Sequence, residues 1–155
     1  MTIPDYQTIM LPLLKFAGDK KEHSIREAID HIGDLFKLSE QERKEVLPSG
    51  RSYIIDNRVG WARTYLKKAG LLEDTRRSYF RITDKGIEVL AKSPSEINIK
   101  FLQQFSEFNE FRKKKDGGEE QEQVIQEETS QTPQELLEYG YQKIKRDLAQ
   151  VTGTL

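Results

Sequence analysis

The chain has 155 residues and no cysteine, with 25 Lys/Arg against 26 Asp/Glu, a formal charge of −1 at neutral pH. That length holds one domain with appendages or two very small domains, and the lack of cysteine excludes disulfides and thiolate metal sites. No basic segment followed by an apolar run opens the chain and no apolar stretch nears membrane-spanning length, so a cytoplasmic protein without membrane contact is expected.

Tyr6, Ile9, Met10, Leu13, Leu14 and Ala17 recur at helical spacing after Pro4-Asp5, which predicts a first helix of three turns. Pro12 lies inside it; a proline there removes an amide donor and crowds the preceding turn, so a kink or break near Leu11 is expected. After a turn at Gly18-Asp19-Lys20-Lys21, Ser24-Ile25-Arg26-Glu27 has the form of a capping box. The helix it starts should bury Ile25, Ala28 or Ile29, Ile32 and Leu35 or Phe36. Ser39-Glu40-Gln41-Glu42 repeats the box for a shorter helix to Val46-Leu47, which Pro48-Ser49-Gly50 ends.

The principal element is Asn57 to Leu72. Ile55, Val59, Ala62, Leu66 and Ala69 make one dry face, with Asn57, Trp61, Thr64 and Lys68 opposite and Arg58, Tyr65, Arg63 and Lys67 on the flanks. Gly70 stops the helix. Two strands follow, Leu71-Leu72-Glu73 and Tyr79-Phe80-Arg81-Ile82, joined by the basic turn Asp74-Thr75-Arg76-Arg77-Ser78. From Arg51 to Arg81 there are eight basic and three acidic residues, a bias that the overall charge hides. Two helices, a basic helix and a basic hairpin predict a mainly α fold: a winged helix-turn-helix of three to four helices and a two- or three-stranded wing, with a C-terminal extension. A solvated helix in a small helical domain is the plainer alternative. Thr83 caps another short helix, Asp84 to Leu90, burying Ile87 and Leu90, and the winged-helix unit is expected to span residues 1–92.

Residues 93–115 are read as an amphipathic helix. Ile97, Phe101, Phe105 and Phe108 form a stripe that must pack back onto the domain or pair with a second copy, and a homodimer through residues 97–108 is the favoured expectation. Residues 116–131 are Glu/Gln-rich and read as a flexible acidic linker. Thr132-Pro133-Gln134-Glu135 supplies a cap, a helix-starting proline and a box glutamate, opening a helix over 132–155 with Leu137, Tyr141, Ile144 and Leu148 on one face. It is read as the lead-in to a further domain.

This pattern points to double-stranded DNA as partner. Asn57 and Arg58, near the start of the principal helix, can reach base edges, since Asn matches adenine and Arg guanine with paired bonds. Arg63, Lys67 and Lys68, with Thr64 on the same face, suit phosphates, and Arg51 lies just ahead of the helix for another. Arg76 and Arg77 at the wing tip reach the backbone or a minor groove, or else form a charged turn. Trp61 is either a partly buried core residue or a base-stacking one. His23 and His31 lack a partner to complete a metal-ligand set, no Gly-x-Ser-x-Gly elbow occurs, and the carboxylates sit in caps and linker. No catalytic residue, metal or cofactor is assigned.

Ile3-Pro4-Asp5-Tyr6, Met10-Leu11-Pro12-Leu13-Leu14, Leu47-Pro48-Ser49-Gly50-Arg51, the run from Asp56 to Leu72 and Tyr79-Phe80-Arg81-Ile82-Thr83-Asp84-Lys85-Gly86 together resemble the N-terminal domain of Mrr-type restriction proteins, over about residues 3–92. The resemblance implies a winged-helix DNA-binding domain of a modification-dependent restriction system, acting on methylated DNA and joined to a metal-dependent nuclease domain. Thr132 to Glu138 is similar to the stretch leading into that nuclease. The family's nuclease aspartate, glutamine or glutamate, and lysine have no counterpart here, so this chain, whether the N-terminal fragment of a longer nuclease or a shortened relative, is expected to bind and not by itself to cut. A methyl group would need an apolar or aromatic contact, for which Trp61 and Tyr65 are the candidates. A winged-helix transcription regulator and a protein-interaction winged helix remain the alternatives.

Overall fold

A computed structural model of the chain describes residues 3–116 and 131–153; the acidic segment expected to be a linker lies almost wholly outside the described residues. Eight α-helices and three strands are described: α1 (Tyr6–Phe16), β1 (His23–Ser24), α2 (Ile25–Leu35), α3 (Glu40–Arg43), α4 (Ile54–Lys68), β2 (Leu72–Arg76), β3 (Tyr79–Ile82), α5 (Asp84–Ala91), α6 (Ile99–Leu102), α7 (Ser106–Asp116) and α8 (Pro133–Gly153). The fold is a winged helix with a C-terminal extension, as the periodicity predicted.

Helix starts follow the sequence closely. The Asp5 carboxylate accepts from the Thr8 amide to cap α1, and both capping boxes form, with Ser24 and Glu27 on α2 and Ser39 and Glu42 on α3. Each satisfies two amides that a helix start leaves without partners. The break expected at Pro12 is absent: α1 runs through it. Ile9, Met10, Leu13 and Leu14 around it are fully buried, and burial of each such side chain is worth about 1.5–3 kcal/mol. That outweighs the loss of one amide bond. The second short helix ends at Arg43 instead of Val46, because Val46 turns extended to bridge Tyr53.

The three-stranded antiparallel sheet has the order β1-β3-β2. Its edge strand β1 is two residues long and pairs His23 with Phe80 and Ser24 with Tyr79. Sequence reading took this stretch for a cap alone; two residues carry no alternation to read. The β2–β3 hairpin pairs Leu72 with Ile82 and Glu73 with Arg81, with a bulge between Asp74 and Arg76. Gly70 makes the entry to β2 possible at φ +83°, a left-handed conformation that side chains disfavour.

The core lies where α1 and α2 pack on α4, closed by Leu71, Leu72, Phe80 and Ile82 from the sheet. The expected single helix over 97–108 is two helices: Asn98 caps α6 through the Phe101 amide, and α7 begins afresh at Ser106. Ile97, Ile99, Leu102 and Phe108 are buried in the same core as α1 and α4, with Phe101 and Phe105 packed against it. The apolar stripe is therefore satisfied within the chain, which removes the reason for expecting a homodimer through residues 97–108. The core also extends past Lys92, where the sequence placed its edge.

Candidate nucleic-acid interface

The chemistry of interest gathers on α4. Its inner face (Ile55, Val59, Ala62, Leu66) is buried as the spacing required. Asp56, Asn57, Gly60, Arg63, Thr64 and Lys67 stay at least partly accessible along the opposite side. Gly60 lies in the middle of this side, and a methyl group built there would meet nothing within 4 Å. Glycine in a helix interior costs about 1 kcal/mol relative to alanine, and no neighbour among the described residues requires its small size. The Thr64 hydroxyl donates back to the Gly60 carbonyl, 3.0 Å away.

The wing is tied to this face by one carboxylate. Asp74 on β2 accepts from Arg63 at 2.6 Å and from Lys67 at 2.7 Å. The two long cationic side chains are held side by side and the hairpin is fastened to the helix. Further out, Arg76 stacks over the Tyr79 ring at 3.8 Å and pairs with Glu22 at 3.0 Å, while Arg77 is exposed in the turn. Opposite the wing, Arg26 from α2 reaches Asp56 at 3.4 Å, and Lys44 and Tyr53 line the groove between α2, α3 and α4 with it. Sequence reading missed Arg26 and Lys44. Only packing brings the α2 start beside α4, although a helix-starting arginine in a helix-turn-helix was a usable signal.

Several sequence-assigned residues sit elsewhere. Tyr65 is 3% exposed and rings with Tyr6, Trp61, Phe108 and Phe111 surround it. Its assignment to a methyl contact is corrected, since α7 covers that flank of α4. Trp61 is half-buried against the core, its ring 5.8 Å from that of Tyr65. Lys68 points along the same flank, with its ammonium 5.1 Å from the centre of the Phe111 ring. Arg51 is exposed in the loop before α4, as expected.

Arg58 differs most from expectation. Its guanidinium donates to both oxygens of Glu135 at 2.8 and 3.2 Å, and to the carbonyls of Ile3 and Pro4 at 2.8 and 3.2 Å. A guanidinium so saturated is not presented to a base. Glu135 is 1% exposed; expected as the capping-box carboxylate of α8, it engages Arg58 with both oxygens instead. Thr132 does cap α8 through the Glu135 amide, and its hydroxyl donates to Asn57 Oδ1 at 2.6 Å. A second acidic residue, Glu138, accepts from the Ser49 amide at 2.8 Å. Its carboxyl is held below the usual carboxylate range by bonds from Gln134 and Ser49, with a smaller contribution from Arg51.

Beneath the wing, His23 bridges Asp19 at 2.9 Å and Glu27 at 3.2 Å and packs on Phe16. Burial disfavours its charged form, but the bonds to the two carboxylates prevail and raise its pKa. Among the described residues no cluster of three or more His, Asp or Glu could hold a metal ion, and no helix is long and apolar enough to cross a membrane.

The helix order, the β1-β3-β2 sheet and the wing fastened to α4 define a winged-helix domain. The sequence matches the Mrr N-terminal domain family over residues 6–92, and the chain belongs to that family. It is 32% identical over 95 residues to the type IV methyl-directed restriction enzyme EcoKMrr of Escherichia coli strain K12, an alignment covering 61% of this chain and 31% of that enzyme. The chain thus spans about a third of the length of the curated relative it matches. No solved structure matches. The family match is to the N-terminal domain alone.

Proposed function

We propose that this chain is a double-stranded DNA-binding module of a modification-dependent restriction system, non-catalytic by itself. The observation that carries the reading is Asp74 holding Arg63 and Lys67 together, which ties the α4 face to the wing and leaves the trio with a net positive charge. A helix of this diameter fits a major groove, and Gly60 at its centre lets the α4 backbone approach the base edges. Lys67, Arg63 and Thr64 flank that line of approach, with Arg51, Arg76 and Arg77 placed for phosphates and Arg26 and Lys44 added to them. Trp61 is the remaining candidate for a methyl contact. The relative's description as methyl-directed supports a preference for modified DNA.

The test is duplex binding by fluorescence anisotropy across a salt series, on methylated and unmodified duplexes of one sequence. Affinity should fall steeply with salt, and Arg76→Ala and Arg77→Ala should each flatten the slope by about 0.9, the value for one phosphate no longer neutralised. Absence of duplex binding at low salt would refute the DNA reading. Equal affinity for the two duplexes would remove modification sensing from this domain.

A further inference from the structure

The chain carries an acidic segment on the end of α4 that should meet DNA first. Thr132, Glu135 and Glu138 lie within the first two turns of α8 and its cap, and each is bonded to the α4 start or the loop before it. Thr132 holds Asn57, Glu135 holds Arg58, and Glu138 holds the Ser49 amide. Thr132 and Glu135 are buried at 0% and 1% exposure, so the contact is a packed one. The same loop carries Arg51, two residues from Ser49. Two carboxylates therefore occupy the Ser49 amide donor and the Arg58 cation, groups of the kinds that hold a DNA backbone, while the Thr132 hydroxyl engages the Asn57 side-chain oxygen. Two carboxylates spaced along a helix present negative charge where a phosphate strand would present it.

We infer that the start of α8 is an intramolecular competitor for DNA: residues 132–138 mimic the phosphate strand, and duplex binding displaces them from Asn57, Arg58 and the Ser49 loop. The inference rests on the DNA-binding reading of α4. Energetically the contact can serve as a switch. Arg58 is partly open to water, at 19% exposure, so an opened state has solvent and then phosphate to receive the guanidinium. Opening also returns the buried Glu135 carboxylate to water, which relieves its desolvation. A closed state populated nine times in ten would weaken apparent duplex affinity about tenfold. DNA engagement would in turn release α8 and everything attached beyond it. One site would then respond to the other through a shared set of residues, as linkage requires.

The test uses the full chain. Glu135→Gln keeps the shape and a hydrogen-bonding carbonyl but removes the charge; Glu138→Ala removes an accessible contact that the fold does not need. Both should bind an unmodified duplex more tightly than wild type at low salt, Glu135→Gln by about tenfold for a contact closed nine-tenths of the time. In wild type, hydrogen exchange of the Glu135 and Leu136 amides, both bonded to Thr132, should accelerate when duplex is added. Unchanged affinity in both variants together with unchanged protection of these amides overturns the competitor and leaves the DNA reading standing. Absence of duplex binding by wild type and variants alike overturns both.

Discussion

Gly60→Ala separates stability from binding in a single substitution. The residue is interior to α4, which begins at Ile54, and an added methyl meets nothing within 4 Å. No clash opposes the gain in helix propensity, which is about 0.8–1.0 kcal/mol between glycine and alanine. A stabilisation of about 1 kcal/mol raises the melting temperature by roughly 4 °C or somewhat more in a unit of this size. The same methyl stands on the line along which α4 approaches a groove. If it forces the duplex back by a few tenths of an ångström and breaks one interaction worth about 1.4 kcal/mol, affinity drops tenfold. Thermal unfolding by circular dichroism reads the first quantity and anisotropy on a short duplex the second. A variant that melts higher and binds as tightly as wild type would refute the placement of DNA over Gly60. A variant that melts lower would refute the open environment itself.

Two further outcomes follow from packing and titration. Gly86→Ala should destabilise by about 1–3 kcal/mol in chemical denaturation, because a methyl there would press against the Leu71 carbonyl, held by the Thr83 amide, and the side chain of Ile82 in β3. A variant as stable as wild type would mean that α5 is free to shift outward. His23 gives the pH dependence. Its folded pKa is raised above 6.5, so its contribution is complete below 6.5 and is lost as pH climbs through the raised value. Asp19 is lowered by bonds from the Lys21 amide and His23, and Glu27 by bonds from His23 and Ser24; their contributions are present above the ordinary carboxylate range and are lost on acidification. Urea midpoints should thus decline on both sides of a mildly acidic maximum, and His23→Gln should flatten the alkaline side. An unchanged alkaline limb in that variant would exclude His23 as its source.

Much of the fold was legible because its determinants are local. Ser24, Ser39 and Thr83 each precede their helix by one residue, and a cap needs only the amide two or three residues on. The dry face of α4 was readable for the same reason, since helical geometry alone sets which side chains share a side. The site was read less well. Arg58 and Glu135 are 77 residues apart, and an arginine beside Asn57 on a basic helix looks the same whether it meets a base or a buried carboxylate. Tyr65 failed likewise, because its burial is completed by residues distant in sequence, Tyr6 of α1 and Phe108 and Phe111 of α7.

The sequence by itself determined where the capped helices start, which stripe of α4 enters the core, and where positive charge gathers, because propensity, capping and periodicity act over a few residues. The tertiary structure decided the rest. It placed the Phe101–Phe108 stripe inside the chain, joined Arg63 and Lys67 through Asp74, and turned Arg58 from a base reader into the anchor of α8. Each of these depends on which surfaces meet when apolar area is buried. Hydrophobic burial is non-directional and acts between residues that no local pattern relates, so the partners of a charged side chain emerge only when the packing is complete.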